Sequence, residues 1–239
     1  MPGPTAIARD NVSFFARYER VLLAAIVKKI PPSVNSLHLS ILGVCGAALA
    51  SVGLIASHWG DGWLALVVIG IFLNWFGDSL DGTLARYRKQ ERPRFGFLVD
   101  HTLDLFSFIM LIVSFGLSPF LSLISSFIVL LCYLLFSAYT YIRAAAHHVH
   151  QMAYIGVGAT EFRLLMIVWA CFGAWYDLQE PMIGHFSALD IVFVGLGAMA
   201  VLGLGVKAVA DARQVAREEM AASPAPAPVE PQNATLAKS

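Results

Sequence analysis

The sequence predicts an all-α integral membrane protein: a bundle of six transmembrane helices preceded by an amphipathic helix lying in the membrane interface. Three observations predict it. Hydrophobic residues make up 58% of the 239-residue chain and charged residues only 13%. A soluble globule is about half apolar and a quarter charged, because water must wet its surface. The apolar residues also fall in blocks long enough to cross hydrocarbon, which takes about 20 residues per helix. Finally, the charges balance at 16 basic and 16 acidic, but the basic ones are sorted by side of the membrane. A soluble enzyme, a disulfide scaffold and a disordered protein are excluded, and no nucleic-acid partner is expected.

Residues 1–36 form the N-terminal segment. Residues 1–10 lack the apolar core and small-residue cleavage site of a signal peptide, so none is expected. Over residues 14–30, Phe14, Phe15, Tyr18, Leu22 and Ile26 alternate at helical spacing with Arg17, Arg20, Lys28 and Lys29. That is the pattern of an interfacial helix, and Pro31 and Pro32 end it. The membrane domain follows over residues 37–207, with spans near 37–57, 63–77, 95–117, 120–142, 162–176 and 186–206. Residues 208–239 hold the rest of a polar helix end and a Pro/Ala tail from Ser223, which has too little apolar surface to fold. Cys45, Cys132 and Cys171 stand singly in apolar runs and are expected to be buried packing residues. Trp59, Trp63, Trp169 and Trp175 suit interfacial or packing roles.

The basic residues orient the chain. Arg9, Arg17, Arg20, Lys28 and Lys29 precede the first span, and Arg86, Arg88, Lys89, Arg92 and Arg94 join the second to the third. Arg143 and Arg163 flank the connection from the fourth to the fifth, and Lys207, Arg213, Arg217 and Lys238 follow the sixth. The opposite loops carry none. The positive-inside rule therefore places both termini on the cytoplasmic side, as an even number of spans requires.

The chemistry concentrates in residues 78–104, DSLDGTLARYRKQERPRFGFLVDHTLD. Asp78 and Asp81 are three apart and Asp100 and Asp104 four apart, so each pair shares a helix face. A second span extended to about Arg88, followed by a short hairpin, brings the pairs to one membrane depth. A carboxylate near hydrocarbon costs roughly 2.5–3.5 kcal/mol at a helix centre, less toward the interface. One or two divalent cations would remove that cost and the mutual repulsion, and hard oxygen donors favour Mg²⁺, Mn²⁺ or Ca²⁺ over zinc. Gly82 and Ala85 beside the first pair leave room for a flat or phosphorylated ligand, and Arg86 adds a forked donor for phosphate. A purely structural charge network would need more basic partners within the spans than this sequence has.

The pattern D-x2-D-G-x2-A-R, nine residues, then G-x3-D-x3-D is met at Asp78, Asp81, Gly82, Ala85, Arg86, Gly96, Asp100 and Asp104. It resembles the signature of the CDP-alcohol phosphotransferase family. The resemblance implies a two-metal site built from Asp78, Asp81, Asp100 and Asp104, holding Mg²⁺ or Mn²⁺. It implies that Asp78, Gly82, Ala85, Arg86 and Gly96 bind the CDP moiety. A phospho-substituent would pass from a CDP-linked donor to an acceptor hydroxyl, releasing CMP, in a homodimer embedded in the lipid bilayer.

Within the family, His101 and Leu105 replace the proline and lysine that phosphatidylglycerophosphate synthases place after the third and fourth aspartates. Asp100-His101-x-x-Asp104 is similar to the D-H-x-x-D of choline and ethanolamine phosphotransferases, and Gly158-Ala159-Thr160-Glu161 looks like their G-P-x-E. That branch carries CDP on the head group and uses a lipid acceptor such as diacylglycerol. Ala138-Tyr139-x-Tyr141-x-Arg143-Ala144 and Glu161-Phe162-Arg163 resemble elements of inositol-phosphate and archaeal-lipid synthases, whose CDP donor is the lipid. His101 favours the first branch. A neutral imidazole there can take the acceptor's proton, with Glu161 orienting it. Asp104 is the alternative base. Arg143 and Arg163 either bind phosphate or anchor helices at headgroups, and His147, His148 and His150 form a short loop cluster. The rival outside the family is a divalent-metal transporter. Against it, the acids cluster at one end of the spans, not at mid-membrane.

Overall fold

The computed structural model describes residues 8–10, 16–147, 149–151, 159–176, 181–183 and 186–222. Among them are seven α-helices: α1 Ala16–Ile26, α2 Ser36–Ala56, α3 Leu64–Tyr87, α4 Pro93–Gly116, α5 Leu123–His147, α6 Ala159–Tyr176 and α7 Ala188–Ala222. Two minimal strand pairs accompany them. β1 Ala8–Asp10 runs parallel to β2 Val149–Gln151, and β3 Pro181–Ile183 pairs antiparallel with β4 Phe186–Ser187. The protein is an all-α membrane bundle.

Among the described residues, five helical stretches are long and apolar enough to cross a membrane: Ser36–Trp59, Asp61–Tyr87, Pro93–Gly116, Leu123–Arg143 and Ala188–Met220. The apolar run of α6, Phe162–Tyr176, is shorter. The chain divides into two compact units, residues 1–199 and 200–239. The second holds the end of α7, where Lys207–Asp211 (3.7 Å) and Gln214–Glu218 (2.8 Å) pair four residues apart, as suits a polar helix. The Pro/Ala tail lies outside the described residues.

The tightest contact joins α2 to α3, and small residues permit it. A methyl group on Gly46 would lie 2.6 Å from the Gly70 carbonyl oxygen, and one on Gly77 would lie 2.5 Å from the Gly43 nitrogen. The two backbones therefore touch, the approach that small residues allow between helices in lipid. Asn74, between those glycines and fully buried, donates from Nδ2 to the Gly43 carbonyl at 3.0 Å.

Around this seam sit two apolar clusters. The larger includes Ala47, Ala50, Leu54, Val67, Ile71, Leu111, Ile112, Phe115, Phe120, Met166 and Phe193. The smaller joins Leu23 and Val27 to Leu39, Leu80 and Leu84. It docks α1 and the 3₁₀ turn Val27–Lys29 against α2 and α3. On α1, Leu23 is buried while Tyr18, Val21 and Leu22 stay exposed beside Arg20. The helix thus has apolar residues facing inward and others left for lipid.

Helix ends follow from local chemistry. Asn35 caps α2, its Oδ1 accepting from His38 N at 2.9 Å. Helix α3 runs on to Tyr87. Arg88 then donates to the carbonyl oxygens of Val34, Ile30 and Pro31, and Lys89 turns the chain at φ 54°. Pro93 opens α4. At the far end of the bundle, Asp190 accepts from Ser122 N (2.8 Å), Ser187 N (2.9 Å) and Ser187 Oγ (2.8 Å), tying the starts of α5 and α7.

The cysteines correct a sequence expectation. Cys45 and Cys171 are exposed on the outside of their helices and Cys132 is half-buried. Apolar flanks do not imply burial in a span, because lipid is as apolar as a core. Of the tryptophans, Trp169 packs edge-on against Phe193 at 3.9 Å, whereas Trp59, Trp63 and Trp175 are exposed.

The α2–α3 seam makes a prediction. Gly70→Ala places its methyl against the backbone of Gly46 and Ala50, which cannot rotate away. It should destabilise the bundle by about 1–3 kcal/mol. Gly195→Ala meets nothing within 4 Å and should be neutral or mildly stabilising. Thermal unfolding of the two variants in one detergent checks the difference.

Candidate functional site

Continuing α3 to Tyr87 and closing the hairpin over residues 88–92 brings the two aspartate pairs together. Oxygens of Asp78, Asp100 and Asp104 lie within 4.8 Å of one another, each residue half-buried. They line a cleft with Ser40, Gly43 and Val44 of α2, Asn74 and Asp81 of α3, and Leu103 and Ser107 of α4. Along α3 this polar layer falls between Ile71 in the larger apolar cluster and Leu84 in the smaller.

Asp81 lines the same cleft but is held differently. It is buried, its Oδ2 accepts from Ser40 Oγ at 2.6 Å, and its Oδ1 accepts from the Gly82 amide. Ser36 Oγ donates to the Asp81 carbonyl at 2.9 Å. The carboxylate triplet is therefore Asp78, Asp100 and Asp104, with Asp81 oriented beside it by α2.

A cation from α6 completes the layer. Arg163, only 2% exposed, donates from one terminal nitrogen to Asp78 Oδ2 at 2.9 Å and lies 3.4 Å from Asp104 Oδ1. Its Nε donates to Asn74 Oδ1 at 2.7 Å, and its guanidinium carbon sits 5.1 Å from the Phe108 ring centre. Of the two roles open to it from sequence, headgroup anchoring does not match this buried position. Asn74, which sequence reading passed over, links the α2 backbone to that arginine. The signal was present: a lone amide inside an apolar span needs a partner.

The other predicted residues are placed as follows. His101 lies on α4 with Nδ1 3.5 Å from Asp100 Oδ2, its ring edge-on to Phe97 at 4.2 Å and 5.9 Å from Tyr141. It neighbours the triplet without lining the cleft. The side chain of Glu161 lies outside the described residues, as do those of His147, His148 and His150. Arg86 is exposed, bonded to Thr83 Oγ1 at 3.2 Å, and lies over Gly82, where an added Cβ would meet only its guanidinium at 3.3 Å. Ala85 is half-buried on the same helix, and Gly96 has nothing within 4 Å of an added Cβ. Gly96 is thus unobstructed, and Gly82 is covered by the Arg86 side chain.

Such an arrangement has the donors for a divalent cation. Three carboxylates on two helices offer hard oxygens at converging distances, the set that Mg²⁺ and Mn²⁺ accept. Arg163 orients Asp78 from α6, and Ser40 holds the neighbouring Asp81 from α2.

Among curated proteins none matches the chain. A sequence model of CDP-alcohol phosphatidyltransferases matches residues 37–208, a stretch that runs from α2 into α7 and contains every cleft residue named above. With that match over most of its length, the chain belongs to the CDP-alcohol phosphatidyltransferase family, membrane transferases of phosphate-containing groups.

Proposed function

We propose that this protein transfers a phospho-alcohol group from a CDP-choline- or CDP-ethanolamine-like donor to a lipid hydroxyl such as that of diacylglycerol, releasing CMP in phospholipid biosynthesis. The observation that carries the reading is the convergence of Asp78, Asp100 and Asp104 within 4.8 Å at the hairpin, inside the family match. In this reading the chain makes six crossings, with α6 the short one, as a homodimer. Both termini and the cleft face the cytoplasm, where the basic residues gather.

Two Mg²⁺ or Mn²⁺ ions, when bound, would neutralise the pyrophosphate and stabilise the leaving CMP oxygen. Asp78, Asp81, Asp100 and Asp104 would hold them. The small-residue face at Gly82, Ala85 and Gly96 admits the nucleotide, and Arg86 meets its phosphate. The acceptor hydroxyl gives its proton to His101, with Glu161 as the orienting carboxylate. Asp104, which lines the cleft itself, is the competing base. Residues 1–36 serve as an interfacial anchor and 208–239 as a polar extension.

A second reading rests on Arg163. A guanidinium buried beside Asp78 and Asp104 suits a phosphorylated acceptor, so CDP-diacylglycerol would be the donor and a polar alcohol such as inositol phosphate the acceptor. CMP release from a panel of both donor types, with matching acceptors, separates the readings.

Three outcomes are expected. Turnover should vanish in EDTA and return with Mg²⁺ or Mn²⁺, and Asp78→Asn, Asp81→Asn and Asp100→Asn should each be inactive yet folded. Activity retained in EDTA removes the metal from the mechanism.

Gly82→Leu should weaken CDP binding, measured by calorimetry, more than it lowers the melting temperature without ligand. The reverse pattern would make Gly82 a packing residue.

His101→Ala should lower kcat roughly 10²–10⁴-fold, the range for a positioned proton acceptor, with metal affinity little changed. Glu161→Gln should move the same way, and the double variant should fall no further than the worse single one. Turnover retained in His101→Ala transfers the role to Asp104.

A further inference from the structure

Helix α1 carries one acid, Glu19, and the bundle surrounds it with donors. Its Oε1 accepts from Trp75 Nε1 at 2.7 Å and Ser79 Oγ at 2.8 Å, both on α3. Thr160 Oγ1, in the first turn of α6, lies 3.3 Å from Oε1 and 3.4 Å from Oε2. A half-buried carboxylate is not needed to dock α1, because Leu23 and Val27 already bury against Leu80 and Leu84. Taking it from water costs free energy that its hydrogen bonds must offset.

What distinguishes these donors is their position. Ser79 is the neighbour of Asp78. Thr160 is one helical turn before Arg163, the residue that bonds Asp78 and reaches Asp104. Glu19 therefore bridges α3 and the start of α6 at the level where those helices exchange the Arg163–Asp78 bond. Residues three apart lie on one face of a helix, so the hydrogen bond at Thr160 bears on how α6 presents Arg163.

We propose that Glu19 is a positioning residue for the reaction centre: through Thr160 it sets the α6 register at which Arg163 meets Asp78 and Asp104. The N-terminal helix is then a working part of the site, although it lies outside residues 37–208. The inference rests on the proposal that the aspartate cleft is where transfer occurs.

The test uses the full chain in lipid nanodiscs. Thr160→Val deletes the hydroxyl with little change of shape, Thr160→Ser keeps it, and Glu19→Ala removes the acceptor. Amide hydrogen exchange over residues 160–166 is read first, without substrate. It should be about tenfold faster in Thr160→Val and Glu19→Ala than in wild type or Thr160→Ser, with α2 unchanged. Unchanged exchange overturns the inference.

CMP release is read second. Thr160→Val and Glu19→Ala should each lower kcat about tenfold, leaving KM for the CDP donor within about twofold, as small misplacements of a reacting group do. Thr160→Ser should keep the wild-type value. In an Arg163→Lys background neither change should lower kcat further, because all act on one contact. Full kcat in Thr160→Val, or losses that multiply with Arg163→Lys, overturns the inference. If Glu19→Ala does not fold, Thr160→Val decides. A wild-type protein that releases no CMP from any CDP donor overturns the proposed reaction instead, and exchange over residues 160–166 then decides for Glu19.

Discussion

Gathering carboxylates at one end of a membrane bundle is the constraint that organises this protein. Asp78, Asp100 and Asp104 repel one another at the distances they adopt, and hydrocarbon on either side raises the cost of their charge. The fold answers with Arg163, buried and bonded to Asp78, and with Asn74, which holds that guanidinium to the α2 backbone. A guanidinium suits the task because its planar fork serves several acceptors at once. Remove it, and three clustered acids remain whose charge must be met by protons or bound cations.

This constraint explains why α2 and α3 touch. Asn74 reaches the Gly43 carbonyl, and Ser40 reaches Asp81, only if the two backbones approach without intervening side chains. Gly43, Gly46, Gly70 and Gly77 supply that approach. Packing and site geometry are thus one feature: the seam that joins the helix pair also positions Asn74 and Asp81. Clusters above and below the polar layer fix the pair like bearings on a shaft, Ile71 and Leu111 on one side, Leu80 and Leu84 on the other.

The asymmetry of the bundle follows. At the far end, Asp190 is held by Ser122 and Ser187 at the starts of α5 and α7. At the site end, the aspartates line a cleft shared by α2, α3 and α4. Asp190 ties helix starts, whereas Asp78, Asp81, Asp100 and Asp104 line the cleft.

The sequence by itself determined the class, the approximate spans and the eight motif positions. These are encoded locally: hydropathy within one helix, and spacings of three and four that put residues on one face whatever the neighbours do. The extension of α3 to Tyr87 and the hairpin after it were legible for the same reason. Only the tertiary structure decided which acids converge, because Asp81 differs from Asp78 in facing Ser40 of another helix. Only it took Arg163 from a choice between headgroup and phosphate to a buried partner of Asp78, since that contact spans 85 residues of chain. The partners of Glu19 and Asn74 were hidden for the same reason: a polar residue's partner is chosen by packing across helices. The cysteines show the limit from the other direction. In a membrane, an apolar stretch reads alike whether it faces protein or lipid, so hydropathy cannot tell inside from outside.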